Sequence, residues 1–128
     1  MAVTLKSTGF QSAVSYKIIS CTGFDGATSI ASQAQKNVTN APGRLFSVTI
    51  ESLQSTSDVY LKLFDGASPT AGVSIPQWVL KGKTKVARTY TIPYGIAFSE
   101  LSFWVSGAPG QTDTSSFNGT VDITLVCS

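Results

Sequence analysis

Residues 44–65, RLFSVTIESLQSTSDVYLKLFD, decide the fold that this sequence predicts. Apolar and polar residues alternate in the first part of the segment, where Phe46, Val48 and Ile50 share one face. They alternate again over residues 59–64, VYLKLF. A period of two is typical of a strand with one buried side. The small polar connector, QSTS, predicts a loop, so the segment is interpreted as the two strands of one hairpin.

Composition is typical of one folded domain. The chain has 128 residues, of which 42% are hydrophobic and 12% are charged. Because disorder requires low hydrophobicity and high charge, this balance argues against it. The net charge of +2 is too small to predict nucleic-acid binding. No apolar run is long enough for a membrane span, and no signal-peptide pattern is found, so synthesis in the cytosol is expected.

Further segments show the alternation of a strand at residues 13–21, 85–92, 101–106 and 119–127. In the last two of these segments, the expected core side chains are Leu101, Phe103, Val105, Val121, Ile123, Leu125 and Cys127. Glycine and proline predict turns at residues 22–26, 81–83 and 93–95.

The regular spacing of strands and turns predicts an all-β fold. We expect a single-domain antiparallel β-sandwich of jelly-roll or Greek-key topology, with about seven or eight strands. Residues 12–128 are expected to form the sandwich. Residues 1–11 are interpreted as either a flexible N-terminal arm or an edge strand.

Several kinds of catalytic and cofactor site are absent from the sequence. It has no histidine, which removes Ser-His-Asp and Cys-His catalysis. Cys21 and Cys127 are too few for a closed zinc site, and no nucleotide-binding motif is found. No cofactor or metal is therefore expected. The two cysteines are either buried thiols or a disulfide that joins the first and last strands.

Three aspartates in predicted loops, Asp25, Asp65 and Asp113, are the candidates for acid catalysis or calcium binding. Aspartate also begins turns by accepting hydrogen bonds from its own backbone. The Asp-Gly pairs at residues 25–26 and 65–66 favour the turn interpretation. The chain is therefore not expected to be an enzyme.

One basic cluster stands out on this charge-poor chain: Lys81, Lys83, Lys85 and Arg88. The lysines surround a glycine turn, so they are expected to project from a hairpin tip. Such a tip could contact an acidic partner surface or nucleic acid. The favoured alternative is a solvated turn that prevents edge-to-edge aggregation.

Two aromatic residues, Tyr60 and Trp104, are predicted on strand faces opposite the core. Exposed there, they would form a sugar-binding platform or a subunit contact. The alternative is that they pack beneath the long loops.

The C-terminal two-thirds of the chain resembles small structural proteins of tailed bacteriophages. The matching pieces are YLKLFD at residues 60–65, SPT at 68–70, IP at 75–76, PYGIAF at 93–98 and LSFWV at 101–105. The resemblance implies a virion component, either a capsid decoration or cement protein or a tail or fibre accessory. It brings no catalytic residues.

We therefore expect a decoration protein that binds the outer capsid surface and stabilises the particle. Its expected partner is the major capsid protein or another virion protein, and a homo-oligomer is expected, with a trimer favoured. No nucleic acid or membrane is expected as a partner. The alternative function is a tail, fibre or receptor-binding β-sandwich module that binds carbohydrate.

Overall fold

A computed structural model describes residues 4–9 and 16–128. Its strands are β1 (Thr4–Gly9), β2 (Lys17–Asp25), β3 (Gly43–Glu51), β4 (Val59–Asp65), β5 (Trp78–Gly82), β6 (Ala87–Phe98), β7 (Leu101–Ser106) and β8 (Thr120–Cys127). The helical content of the described residues is one 3-10 turn, Ala31–Gln33, and none of their helices could cross a membrane. The all-β prediction is confirmed. Residues 1–3 and 10–15, which belong to or follow the expected arm, lie outside the described residues.

The strands form two antiparallel sheets. The large sheet has the order β1-β2-β8-β3-β6, and the small sheet has the order β5-β4-β7. An isolated bridge from Gln35 to Phe103 extends the small sheet beyond β7. With this bridge counted as a minimal strand, β2-β8-β3-β6 and Gln35-β7-β4-β5 are the two four-membered layers of a jelly roll. The predicted antiparallel sandwich is therefore confirmed.

The hydrophobic core lies between the two sheets. The large sheet contributes Ile19, Cys21, Val48, Ile50, Ile123 and Leu125, and the small sheet contributes Leu61, Leu63, Leu101, Phe103 and Val105. All of these side chains are at most 2% exposed. The core faces predicted for residues 101–106 and 119–127 are therefore confirmed.

The predicted hairpin at residues 44–65 is wrong. β3 pairs with β6 and β8 in the large sheet, whereas β4 pairs with β5 and β7 in the small one. Residues 52–58 thus cross from one sheet to the other. Alternation shows which face of a strand is buried but not which strand lies beside it. Two strands that face each other across a core have the same pattern as two paired strands.

Two predicted turns are bulges inside long strands. Gly23, with φ of 83°, lies in β2 where its register with β8 shifts, and Gly95, with φ of 74°, lies in β6. The register of β3 against both of its neighbours shifts between Leu45 and Ser47. Glycine accepts the positive φ at a bulge as readily as in a turn, so the strands continue through it.

The bulge in β3 also corrects one expected core residue. Leu45 is fully buried, whereas Phe46 is only partly buried. The ring of Phe46 meets the ring of Tyr16 edge-on, with centroids 5.5 Å apart. The extra residue reverses the alternation at this point, which the regular pattern could not reveal.

The cysteines are free and fully buried. Cys21 pairs with Ile123, whereas Cys127 pairs with Lys17, four positions away along β2. This offset is about 13 Å at the rise of a strand, and a disulfide requires Cα atoms within about 7 Å. Of the two alternatives, the buried thiols are correct.

Candidate interaction face

The outer face of the small sheet is covered by the chain's own loops. The loop after β4 and the loop after β7 meet over it, where Gly72 lies against Thr114. Beneath them, Trp104 is fully buried with its ring 6.4 Å from that of Phe64. The prediction that Trp104 is exposed is wrong, and the alternative that it packs beneath the long loops is correct.

Lys62 fastens one of these loops to the sheet. Its side chain is fully buried on the outer face of β4, and its Nζ donates to the carbonyl oxygens of Gly110 and Asp113. The Asp113 bond is 2.9 Å long. Burial lowers the pKa of the Lys62 ammonium, and the nearby Asp113 carboxylate opposes that change. The ammonium thus replaces its water shell with loop carbonyls, as a buried charge requires.

No aromatic platform forms on this side of the molecule. Tyr60 is partly buried on β4, opposite Ser106 on one side and Lys81 on the other. Trp104 is out of reach of a ligand, and its buried Nε1 has no hydrogen-bond partner among the described residues. The two predicted aromatic site residues therefore do not form a joint binding surface.

The basic cluster is divided between two sheets. Lys81 lies in β5 and pairs with Asp58 at 3.3 Å, and hydrogen bonds from Thr84, followed by Lys81, lower the pKa of Asp58 to about 2. Arg88 lies in β6, where it and Tyr90 bond to the carbonyl oxygen of Lys81. These two side chains close the gap between the edges of the sheets.

Lys83 and Lys85 remain exposed in the loop between β5 and β6. This loop crosses between the sheets, so the predicted hairpin tip is wrong. The partner-contact role of the four basic residues stays a prediction. Their spacing in the sequence could not show the division, because it depends on which sheet each strand joins.

The loop aspartates are used in turns. Oδ1 of Asp25 accepts from the N–H of Ala27, and Oδ1 of Asp113 accepts from the N–H of Ser115. Oδ1 of Asp65 accepts from the N–H of Ser99, at the turn between β6 and β7. Over residues 4–9 and 16–128, no three metal-ligating side chains converge and no pocket is found.

The described residues leave the outer face of the large sheet open, in contrast to that of the small one. The strand register places Ser20, Thr124, Thr49 and Thr89 in one row, and Ile18, Val126, Ser47 and Thr91 in the next. None of these side chains is buried. The Oγ1 atoms of Thr49 and Thr89 lie 2.9 Å apart and share a hydrogen bond. We call these two rows the hydroxyl rows.

The hydroxyl rows carry no charge. Charged residues surround the rows: Lys6 of β1 pairs with Ser20, Arg44 lies at one end of β3, and Glu51 and Asp122 lie opposite each other at the other end. Oδ1 of Asp122 accepts from the N–H of Gly23 at 2.9 Å. The centre of the face is therefore uncharged and mostly polar, with carboxylates at one end. Alternation in the sequence indicated its outward residues, but aligning them required the strand order.

Tyr94 is the most exposed large hydrophobic side chain among the described residues, at 88%. It sits on the β6 bulge, where Nη1 of Arg44 donates to its carbonyl oxygen at 3.2 Å. Gly95 fits closely against Arg44 and Phe46, which fixes the backbone beneath Tyr94. The sequence pattern did not single out Tyr94, because the bulge that presents it resembled a strand end.

Comparison with protein-family models, curated proteins and solved structures finds no match.

Proposed function

We propose that this chain is a virion structural protein that decorates a capsid. It docks on the major capsid protein, or on another virion protein, through the outer face of the large sheet. The observation that supports this best is the asymmetry of the sandwich. One outer face is covered by loops, one of which Lys62 anchors, and the other is an open sheet whose hydroxyl rows carry no charge.

The size of the open face suits this role. Five strands of up to nine residues in its centre cover roughly 24 by 30 Å, or about 700 Å². A stable interface buries about 800 Å² per partner. One copy must therefore use most of the face, and an oligomer gains by attaching several faces together. The virion is the proposed location, and the proposed chemistry is hydrogen bonding and burial.

Thr124→Lys tests this proposal, because Thr124 lies on the central strand of the hydroxyl rows. A lysine there projects into the proposed contact without disturbing the core. Thr112→Lys, in an exposed loop on the opposite side, is the matched control. We expect cosedimentation with virions of the encoding phage to fall at least tenfold for Thr124→Lys and to be unchanged for Thr112→Lys. Equal binding by the two folded variants would contradict docking through this face.

A carbohydrate-binding tail or fibre module is the second candidate function, and the presentation of Tyr94 favours it. A rigidly held, exposed aromatic ring beside an arginine can stack on a sugar ring and bond its hydroxyls. Binding of the isolated chain to a glycan array would support this function. Binding to virions alone would support decoration.

A further inference from the structure

Strand β6 is an unpaired edge of the large sheet. Its one partner among the described strands is β3. The N–H of Ser52 donates to the carbonyl oxygen of Val86 at 3.1 Å, so the C=O group of Val86 points toward the β3 side, while its N–H bonds to Lys83. Successive residues of a strand direct these groups to alternate sides. The N–H and C=O groups of Ala87, Thr89 and Thr91 therefore point away from β3, to a side where the described residues provide no strand.

The protection of this edge is confined to one end. Pro93 also occupies a position whose backbone groups point away from β3. The N–H that proline lacks would therefore not have bonded to β3. The bulge around Gly95 follows directly. Proline and bulges are both devices that prevent strand addition. Residues 87–91 contain neither a proline nor a bulge. The side chains of Ala87, Thr89 and Thr91 lie on the open face of the sheet, and they are uncharged and exposed.

We propose that two copies of this chain pair through β6, antiparallel and around a two-fold axis at Thr89. In this register Thr89 faces Thr89 of the second copy, and Ala87 faces Thr91. The Thr89 pair and the two symmetry-related pairs of Ala87 with Thr91 exchange about six N–H···O bonds. Arg88 lies opposite Tyr90 of the second copy, and both side chains keep their bonds to the Lys81 carbonyl oxygen of their own copy.

The neighbouring registers are less favourable. A centre at Tyr90 would place Pro93 opposite Ala87, and a centre at Thr91 would place it opposite Thr89; each loses hydrogen bonds because proline has no N–H. A centre at Arg88 would place the two Arg88 residues directly opposite each other, and like charges in that position are destabilising. The register centred on Thr89 avoids both problems.

The pairing joins two large sheets into one continuous sheet and their open faces into one surface. The unit is a two-fold dimer and not the trimer that the sequence favoured. The inference depends on the edge geometry alone and stands if the docking function fails. If both hold, the dimer doubles the area available to a particle.

Cysteine cross-linking tests the register. In Thr89→Cys the two new cysteines lie directly opposite, with Cα atoms about 5.5 Å apart, which a disulfide can bridge. In the control Thr91→Cys the new cysteines are about 13 Å apart along the strands. The native thiols are buried and do not compete.

We expect mild oxidation of the full chain to link most of Thr89→Cys into dimers and to link at least tenfold less of Thr91→Cys. Sedimentation of the unmodified chain should show a concentration-dependent rise from 13.4 kDa toward twice that mass. Thr89→Lys, which sets two lysines opposite each other, should remain monomeric, whereas Thr124→Lys should still dimerise. A monomer or trimer at all concentrations, or equal cross-linking of the two cysteine variants, would overturn the proposal.

Discussion

Lys62 is the residue that holds the covering loop on the outer face of the small sheet. A lysine is seldom fully buried, and here two loop carbonyl oxygens take the place of water around its ammonium. The covering loop also hides Trp104. Because Lys62 anchors the loop that covers the small sheet, the outer face of the large sheet is the one that the described residues leave open.

Replacing this lysine with an apolar side chain of similar length should release the loop. In Lys62→Met the carbonyl oxygens of Gly110 and Asp113 lose their donor, so we expect the free energy of unfolding to fall by about 1–3 kcal/mol. Hydrogen exchange over residues 107–116 should accelerate. Lys83→Met, in an exposed loop, should change stability by less than about 0.5 kcal/mol. Equal stability of the two variants would mean that Lys62 is not an anchor.

The buried thiol of Cys21 makes stability depend on pH. Burial, followed by the nearby Asp122, raises the pKa of this thiol to about 12, from an ordinary value of 9.0. Above pH 9 the unfolded chain releases a proton that the folded chain retains, so unfolding becomes easier as pH rises. Below pH 9 the stabilisation is fully present, and it is lost between pH 9 and 12.

Urea unfolding at pH 8 and pH 11 measures this effect. The native chain should lose about 2–4 kcal/mol more than Cys21→Ala over that interval. The alanine variant is less stable at both pH values because of its cavity, but the other titrating groups are common to both chains and cancel in the comparison. Parallel pH dependence in the two chains would show that Cys21 does not titrate as described.

At the scale of elements, bulges shape this sandwich as much as strands do. The bulge in β6 lets one strand pass Phe46, carry Tyr94 outward and still pair with β3 at both ends. The same bulge also ends the regular part of the unpaired β6 edge. Gly95 is required because its φ is 74° and a Cβ there would lie 2.9 Å from the Cβ of Arg44.

Gly95→Ala should therefore lower the free energy of unfolding by about 1–3 kcal/mol, through backbone strain and this contact. Gly110→Ala is the control, because its φ is not positive and the nearest atom to its Cβ position is 3.4 Å away. Its effect should stay within about 1 kcal/mol of zero. Calorimetric melting of both variants makes the comparison, and a Gly95→Ala protein as stable as its control would refute the strained bulge.

The elements also show what the sequence could predict. Alternation assigned the buried faces of β4, β7 and β8 correctly, because it depends only on the period of a strand. It failed at Phe46, where one extra residue reversed the faces. It also paired β3 with β4, because neighbours in a sheet are set by long-range contacts. Gly23 and Gly95 signal positive φ, and the sequence alone does not distinguish a turn from a bulge.

At the scale of the whole molecule, function depends on which surfaces the fold leaves free. The sequence left Trp104 open between exposure and packing beneath the loops, and its prediction of a joint basic hairpin tip was wrong, because loop packing and sheet membership are tertiary features. The hydroxyl rows escaped notice because their members come from four strands, aligned only by the strand order β2-β8-β3-β6. The resemblance to phage structural proteins stays a prediction.

The proposed function places this chain on a phage particle, so a reconstruction of that intact virion tests the central claim most directly. We predict density for this jelly roll outside the shell, with Ser20, Thr124, Thr49 and Thr89 against the capsid and the loop at residues 107–119 toward solvent. Density in the reverse orientation, with the hydroxyl rows in solvent, or a virion that lacks the chain altogether, would contradict the account.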